Sequence, residues 1–445
     1  MNIVVVGAGQ VGGTVARELS ANHEITIVDS NPERLDELRF QHDVMTVQGN
    51  GARIEVLEKA RTAGAELVIA STNDDRVNIL VAATAHALNP DLFTIARVTH
   101  TDYLKSWEYS QESFSVDLMV GSDYLTARAI VEVLSDQPIR QVAYFAERRI
   151  EMVEFDIPDD AAIANRSVQE IDVGEGLRLA AVFSGDHMEV VTGTTMLDAG
   201  SRLLVIGRPE AVQRFGQKLT PRDTAPPERI MIFGGGEIAH QTALLLEQQG
   251  LSPNLVVPDR DRAHELADEL VDSLVFFDNP SNPDFLKSEG IDRTQLALSV
   301  LREDEANLMA SLLARNLGAD RVFSVVNEQQ FQDVFEQSGV EVTFNPRNKV
   351  IEEIIRHTRS GILEKVTFVE HHRGEVIEVE LSSDSPLVAR SISSSASLFP
   401  DRMVIGALSR SGRVIIPTGD TVLEAGDDLV VFVNTDVVSD VLEVL

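Results

Sequence analysis

Ile3-Val-Val-Val-Gly-Ala-Gly-Gln-Val-Gly-Gly-Thr14, with Ile25-Thr-Ile-Val-Asp29 following it, decides how this chain is read. Ile3 to Val6 are four β-prone apolar residues in a row, the pattern of a strand buried on both faces of a parallel sheet. Gly7, Gly9 and Gly12 then fall at GxGxxG spacing, and Val11 to Leu19 carry helical periodicity. Gly7 permits a tight turn, Gly9 lets a phosphate approach the backbone, and Gly12 lets the helix pack close to the strand. The helix N-terminus offers unpaired N–H groups and the positive end of its dipole. Thr26 to Val28 form the second strand, and Asp29 ends it about twenty residues past the glycines, where an acid binds ribose hydroxyls. A GxGxxG alone is weak evidence. Strand, glycines, helix, strand and acid in that order predict a nucleotide-binding βαβ unit.

The alternation continues outward from this unit. Strands are expected at Val44 to Val47, Leu67 to Ala70, Phe93 to Val98 and Val116 to Val120. Helices are expected at Ile54 to Ala63, Arg76 to Leu88, near Tyr103, and at Asp123 to Leu134, with Ser71 to Asp75 as loop and N-cap. This is a doubly wound α/β lobe, in which ligands bind at the carboxyl ends of the strands. Those ends carry the glycine loop, Asp29, Ser30, Gly49, Asn50, Ser71 and Thr72, with Arg34, Asp74 and Asn78 on helices just beyond and Arg97 within strand five. Arg97 reads either as a surface ion-pair partner or as a phosphate contact. Asn50 reads either as a turn residue or as a contact to the base.

After about Pro138 short alternating strands replace the βα pattern: Gln141 to Phe145, Glu151 to Phe155, Arg178 to Phe183, His187 to Val191 and Arg202 to Ile206. They predict a small α+β lobe. Phe215 to Glu228, with Pro221, Pro226 and Pro227 among polar residues, reads as a linker. Then the chain starts again. Arg229-Ile-Met-Ile-Phe-Gly-Gly-Gly-Glu-Ile-Ala239 repeats the opening, and Asp304-Glu-Ala-Asn307 echoes Asp75-Arg-Val-Asn78. Thr421-Val-Leu-Glu-Ala-Gly426 likewise parallels Thr195-Met-Leu-Asp-Ala-Gly200. The expected architecture is a tandem duplication of Rossmann lobe plus small α+β lobe. Its boundaries are 1–135, 136–215, a linker at 216–228, then 229–362 and 363–445.

The second Rossmann copy is degenerate. Ala239 stands at the third glycine, and Val257 or Pro258 stands at the strand-two acid, with Asp259 arriving late. Asp278-Asn279-Pro280 replaces Gly49-Asn50-Gly51, and Leu301-Arg302 is taken to replace Ser71-Thr72. Gly234 and Gly236 leave a cradle that could still take phosphate, while weakened ribose recognition is expected there.

Composition excludes several classes. There is no cysteine, so no disulfide, thiolate nucleophile or zinc-thiolate site. No apolar run approaches the ~18 residues of a membrane span, and the N-terminus lacks a signal-peptide pattern. A reducing cytoplasm is expected. Lys+Arg 38 against Asp+Glu 71 leaves a net charge of −33, which repels nucleic acid and reads as adaptation to salt. The ten histidines show no catalytic or metal-ligand spacing, and the adjacent pair His371-His372 reads as a surface turn. The acidic runs Asp156 to Asp160 and Asp259 to Asp261 read as solvated faces.

These motifs resemble a known family. Gly7-Ala-Gly-Gln-Val-Gly12, Val28-Asp29, Gln48-Gly-Asn50, Ser71-Thr-Asn-Asp74 with Asn78, Ile95-Ala-Arg97 and Glu424-Ala-Gly-Asp427 are similar to the tandem RCK units of the cytoplasmic regulators of Trk-type potassium uptake. The resemblance implies a homotetramer forming a ring of Rossmann lobes, at the inner face of the membrane and docked on a TrkH-like potassium-translocating subunit. It implies control by NAD(H) and ATP/ADP and no enzymatic activity. By position it implies that Gly7, Ala8, Gly9, Gln10, Val11 and Gly12 hold phosphates, that Asp29 takes a ribose hydroxyl, that Asn50 lies near the base, and that Arg97 reaches phosphate. Thr99 departs from relatives that carry a second arginine there. The competing readings are an NAD-dependent oxidoreductase, for which the small lobes offer no clear acid/base pair, and a nucleotide-sensing scaffold without a membrane partner.

Overall fold

The computed structural model describes residues 1–20, 23–110, 114–134, 139–185, 187–219, 227–358, 363–369, 373–400 and 402–445. They form two compact units, one of residues 1–131 and 227–358, the other of 132–226 and 359–445. Among the described residues no helix is long and apolar enough to cross a membrane.

The first unit holds both Rossmann lobes. In the first lobe, strands β1 (Asn2–Val6), β2 (Glu24–Asp29), β3 (Val44–Gln48), β4 (Leu67–Ala70), β5 (Phe93–Val98) and β6 (Leu118–Gly121) form one sheet in the order β3-β2-β1-β4-β5-β6. All five pairings are parallel. The direction in which successive strands are added reverses between β1 and β4, the switch point at which such sheets open a crevice. Helices α1 (Gln10–Ser20), α2 (Pro32–Gln41), α3 (Ile54–Lys59), α4 (Asp75–Leu88) and α5 (Thr101–Tyr109) make the crossovers, and Ser122–Leu134 closes the lobe. The helix expected to run to Ala63 stops at Lys59. Arg61 takes a left-handed conformation (φ 59°), and a 3₁₀ turn at Thr62–Gly64 completes the connection.

The second Rossmann lobe repeats this order with strands at Asn254–Val257, Ile230–Phe233 and Leu296–Ser299 in its centre. Register corrects one alignment. Ser71 N–H donates to Val6 O as Val300 N–H donates to Phe233 O. The counterparts of Ser71-Thr72 are therefore Val300-Leu301, not Leu301-Arg302.

The second unit holds both small lobes, each a five-stranded antiparallel sheet. In the first the order is His187–Val190, Leu177–Ser184, Arg202–Gly207, Ile150–Asp156, Ile139–Phe145. In the second it is Arg413–Ile415, Met403–Arg410, Asp428–Asn434, Gly374–Glu380, Leu363–Val369. The two sheets share a core in which Phe183 meets Phe432 edge-on at 6.2 Å. Glu378 of one accepts the Ala146 N–H of the other at 2.6 Å.

The expected linker begins later than its composition suggests. Pro209–Leu219 is a helix burying Ala211, Val212, Phe215 and Leu219, an apolar face at helical spacing. A Cβ at Gly216 would sit 2.8 Å from Phe155, so the helix lies against the small lobe's sheet. Pro221, Pro226 and the pair His371-His372 lie outside the described residues. Of the acidic runs, Asp156 pairs with Arg140 at 2.6 Å and Asp259 caps a helix through Arg262 N at 2.8 Å.

Candidate nucleotide site

A cavity of about 410 Å³ opens at the carboxyl ends of β1, β2, β3 and β4. Its lining includes Gly7, Gly9, Asp29, Ser30, Arg34, Gly49, Asn50, Ser71, Thr72 and Asp74, together with Val6, Val28, Gly51, Asn73 and Val77. The last five were not expected from the motif. Val6 and Val28 are the final apolar residues of their strands, and Val77 follows the α4 cap by three, so strand ends and cap turns were the available signal.

The glycine loop is held by backbone geometry. Gly7 donates to Val28 O at 2.7 Å and turns with φ 106°, where a Cβ would lie 3.0 Å from the Ser71 and Thr72 backbone. A Cβ on Gly12 would lie 1.9 Å from Gly7 O, so this glycine seats α1 on the loop. A Cβ on Gly9 would meet no protein atom within 4 Å. Nothing inside the protein requires glycine there, whereas a ligand lying on the loop would.

Asp29 braces the loop it faces. Its Oδ2 accepts the Ala8 N–H at 2.6 Å and its Oδ1 accepts the Asn31 N–H at 2.7 Å. Each oxygen keeps a further lone pair for a ribose hydroxyl. Asn50 is a turn residue, its Oδ1 accepting the Ala52 N–H at 2.9 Å, and it also lines the cavity. Arg34, exposed on α2, makes no ion pair among the described residues and is the one Lys or Arg among the residues lining the cavity. Asp74 caps α4, accepting Arg76 N–H at 3.0 Å, and its pairing with the Arg76 side chain holds its carboxyl below the usual range.

The remaining expected contacts are placed elsewhere. Ala8, Val11 and Gly12 do not line the cavity; they shape the loop and root α1. Asn78 is fully buried behind it. Its Oδ1 accepts from Thr72 N (2.8 Å) and Thr72 Oγ1 (2.7 Å), and its Nδ2 donates to Thr72 O (3.0 Å) and Arg97 O (2.8 Å). With every polar valence spent, Asn78 positions Thr72 and has nothing left for a ligand. Arg97 also lies behind the cavity wall. Its Nη1 donates to Thr72 O at 3.4 Å, while its buried Nε has no acceptor among the described residues. Gln10 turns its amide away, onto Glu328 of the second lobe.

Arg97 faces Asp123, and burial raises the Asp123 carboxyl from 3.8 to about 6, against the pull of Ser122 and Arg97 and with the help of Glu237 and Asp75. A carboxyl whose folded pKa exceeds its unfolded value binds more protons when folded, so its contribution is present below about pH 4 and is lost as pH rises through 6. Asp123→Asn is therefore expected to stabilise the protein at pH 7 by about 2–3 kcal/mol. That gain should shrink towards zero at pH 4, as read by urea midpoints of the two proteins at both pH values.

The second cradle keeps Gly234 and Gly236 but differs at the acid, at the third glycine and in the turn after its fourth strand. β1–β2 register and its repeat put Val257 where Asp29 stands. Ala239 replaces Gly12, and Val300-Leu301 replace Ser71-Thr72. Arg262, two residues into its helix as Arg34 is into α2, folds back so that its Nε donates to Gly235 O at 2.9 Å. The Arg262 side chain thus rests on the backbone of the second glycine loop, while a Cβ on Gly236 would meet nothing within 4 Å, as at Gly9.

Comparison with known proteins follows this duplication. The TrkA-N domain matches residues 3–115 and 230–346, and the TrkA-C domain matches 152–220 and 376–445. The chain belongs to the TrkA family. The Trk system potassium uptake protein TrkA of Vibrio alginolyticus is 30% identical over 455 residues, covering 99% of this chain and 98% of the relative. TrkA homolog 1 of Methanosarcina mazei is 29% identical, covering 99% of both. Among solved structures, the GsuK channel bound to NAD superposes with a TM-score of 0.62 at 18% identity, over 99% of this chain and 79% of that one. At that identity the likeness is one of fold, and it spans both TrkA-N/TrkA-C repeats.

Proposed function

We propose that this TrkA-family chain is the non-catalytic regulatory subunit of a potassium uptake system, and that NAD(H), ATP and ADP bind in the first Rossmann lobe. The observation that carries the reading is the cavity at Gly7 and Gly9, lined by the Asp29 carboxylate and by Arg34. Loop N–H groups and the start of α1 suit a pyrophosphate. Asp29 suits a ribose diol, and the Asn50 turn suits the face or edge of a base. The NAD bound to the GsuK channel, a protein of the same fold, supports this ligand class. In this reading four chains form a ring of Rossmann lobes on the cytoplasmic side of a TrkH-like membrane subunit, and nucleotide biases the ring between two states. The available free energy is the difference in nucleotide affinity between those states.

The test is an equilibrium titration of the purified full chain with NADH, NAD⁺, ATP and ADP in concentrated KCl, alongside Asp29→Ala. One site per chain is expected. The substitution removes a charged acceptor, about 1.5–3 kcal/mol of charge-assisted hydrogen bonding, so NADH binding should weaken about 10- to 100-fold. No binding by the wild type, or steady NADH consumption with an added substrate, would overturn the reading.

A further inference from the structure

The turn after β3 carries chemistry that nucleotide binding does not use. Asn50-Gly51 is the only Asn-Gly pair in the chain. Asn50 is exposed and lines the cavity, and Gly51 lines it together with Val6. The fold itself requires glycine at 51, because a Cβ there would lie 2.3 Å from Val6 Cγ1. Packing on the first strand therefore puts beside Asn50 the residue whose backbone most easily turns towards a neighbouring side chain.

Two further features bear on the Asn50 amide. Its Oδ1 accepts the Ala52 N–H at 2.9 Å, a contact that draws charge from Cγ and stabilises an oxyanion formed there. Its Nδ2 donates to no acceptor among the described residues, and neither does the Gly51 N–H. No hydrogen bond to either nitrogen within the described residues has to break before the Gly51 nitrogen gives up its proton or Nδ2 departs. The second lobe repeats the turn without the attacking N–H. There Asn279 Oδ1 accepts the Ser281 N–H at 2.9 Å. Asn282 N–H donates to Asn279 O at 2.8 Å, as Arg53 N–H donates to Asn50 O at 3.0 Å. Pro280 stands where Gly51 does, and its nitrogen carries no proton.

We infer that Asn50 is a site of spontaneous deamidation, driven by the Gly51 nitrogen, and that a ligand in the cavity protects it. The Gly51 nitrogen attacks Asn50 Cγ and forms a new N–C bond. The Cγ–Nδ2 bond breaks, and Nδ2 leaves as ammonia with the proton that Gly51 loses. Water then opens the resulting succinimide ring. Addition at Cγ gives aspartate, and addition at the Asn50 backbone carbonyl carbon gives isoaspartate, with the chain running through Cγ. Water is consumed and ammonia released, with no change of oxidation state. Solvent entering the cavity carries the protons, so a ligand that displaces it slows the step. Either product adds a carboxylate to a cavity already lined by Asp29 and Asp74, and so opposes an anionic ligand. An empty site loses affinity with age, and an occupied one keeps it. Protection rests on the nucleotide reading proposed above; the deamidation itself does not.

The experiment incubates the purified full chain at about pH 7 and about pH 9, with and without NADH. Each asparagine is followed by peptide mass mapping, and isoaspartate is counted by enzymatic methylation. Asn50 is expected to convert at least about 10-fold faster than any other asparagine, an advantage of about 1.4 kcal/mol in the barrier. Conversion should be faster at the higher pH, since the attacking nitrogen must lose its proton, and Asn279 should stay intact. NADH at about ten times its dissociation constant leaves about a tenth of the sites open and should slow Asn50 about 10-fold. Asn50→Asp, the product without the backbone change, should weaken NADH binding about 10-fold. Conversion of Asn50 no faster than of the other asparagines, or of Asn279 at the same rate as Asn50, would overturn the inference. An unchanged rate in protein saturated with NADH would overturn the protection, and wild-type affinity in Asn50→Asp would overturn the loss of affinity with age. Absence of NADH binding by the wild type would instead overturn the nucleotide reading, while the mass map still decides the deamidation.

Discussion

Gly12→Ala should abolish nucleotide binding while leaving a folded protein. The new Cβ would lie 1.9 Å from Gly7 O and 2.7 Å from Ser71 Oγ, and the first of these neighbours is backbone. Either α1 withdraws from the loop or the loop turns differently. The second lobe shows what the latter looks like. It carries Ala239 at this place, fully buried, and its first glycine, Gly234, turns at φ 133° where Gly7 turns at 106°. A Cβ can be accommodated, with a differently shaped cradle. Overpacking of this kind costs about 2 kcal/mol, which in a unit of this size lowers the melting temperature by roughly 4–8 °C. Titration with NADH should then be flat to at least 100 times the wild-type dissociation constant, with circular dichroism unchanged at 25 °C. Wild-type affinity in Gly12→Ala would mean that ligand does not lie on this loop.

The doubly wound parallel lobe was legible because it follows from local signals. Apolar runs buried on both faces, glycines at a fixed spacing and a strand-ending acid each report on a few neighbouring residues, and the parallel order of β1 to β6 is the arrangement that connects them without crossing. The duplication was legible for the same reason. Contacts between lobes were not. Nothing near Gln10 says that its amide serves Glu328, since that pairing exists only once two βαβ units have packed. Arg97 and Asn78 show a subtler limit: a polar residue at a strand end or helix start reads as a ligand contact, yet both are used to hold the wall of the cavity. The helix Pro209–Leu219 was within reach. Ala211, Val212, Phe215 and Leu219 mark one face, but polar composition and the prolines beyond drew the reading towards a linker. The shifted alignment of Ser71-Thr72 was also avoidable. Thr72 precedes Asn78 by six residues, and six before Asn307 stands Leu301.

That spacing of six supports the second large effect. Asn78 and Asn307 are both fully buried and do the same work, one clasping Thr72 N–H and C=O and Arg97 O, the other clasping Leu301 N–H (2.6 Å) and C=O (3.0 Å) and Val325 O (3.1 Å). Each ties the turn after its lobe's fourth strand to its fifth strand. Replacement by alanine leaves one buried N–H and two carbonyls without these partners, at about 1–3 kcal/mol for each group left unsatisfied. Asn78→Ala and Asn307→Ala should each cost about 3 kcal/mol, read as a shift in urea midpoint with unchanged slope. Their effects on nucleotide should diverge. Thr72 lines the cavity, so loosening it in Asn78→Ala should weaken NADH binding about 10-fold or more, measured where the variant is still folded. Leu301 is the counterpart in a cradle without an acid and with Arg262 folded onto its loop, so Asn307→Ala should leave NADH affinity within about 3-fold. Equal weakening in the two variants would place ligand in both lobes, and would make the second copy a second site.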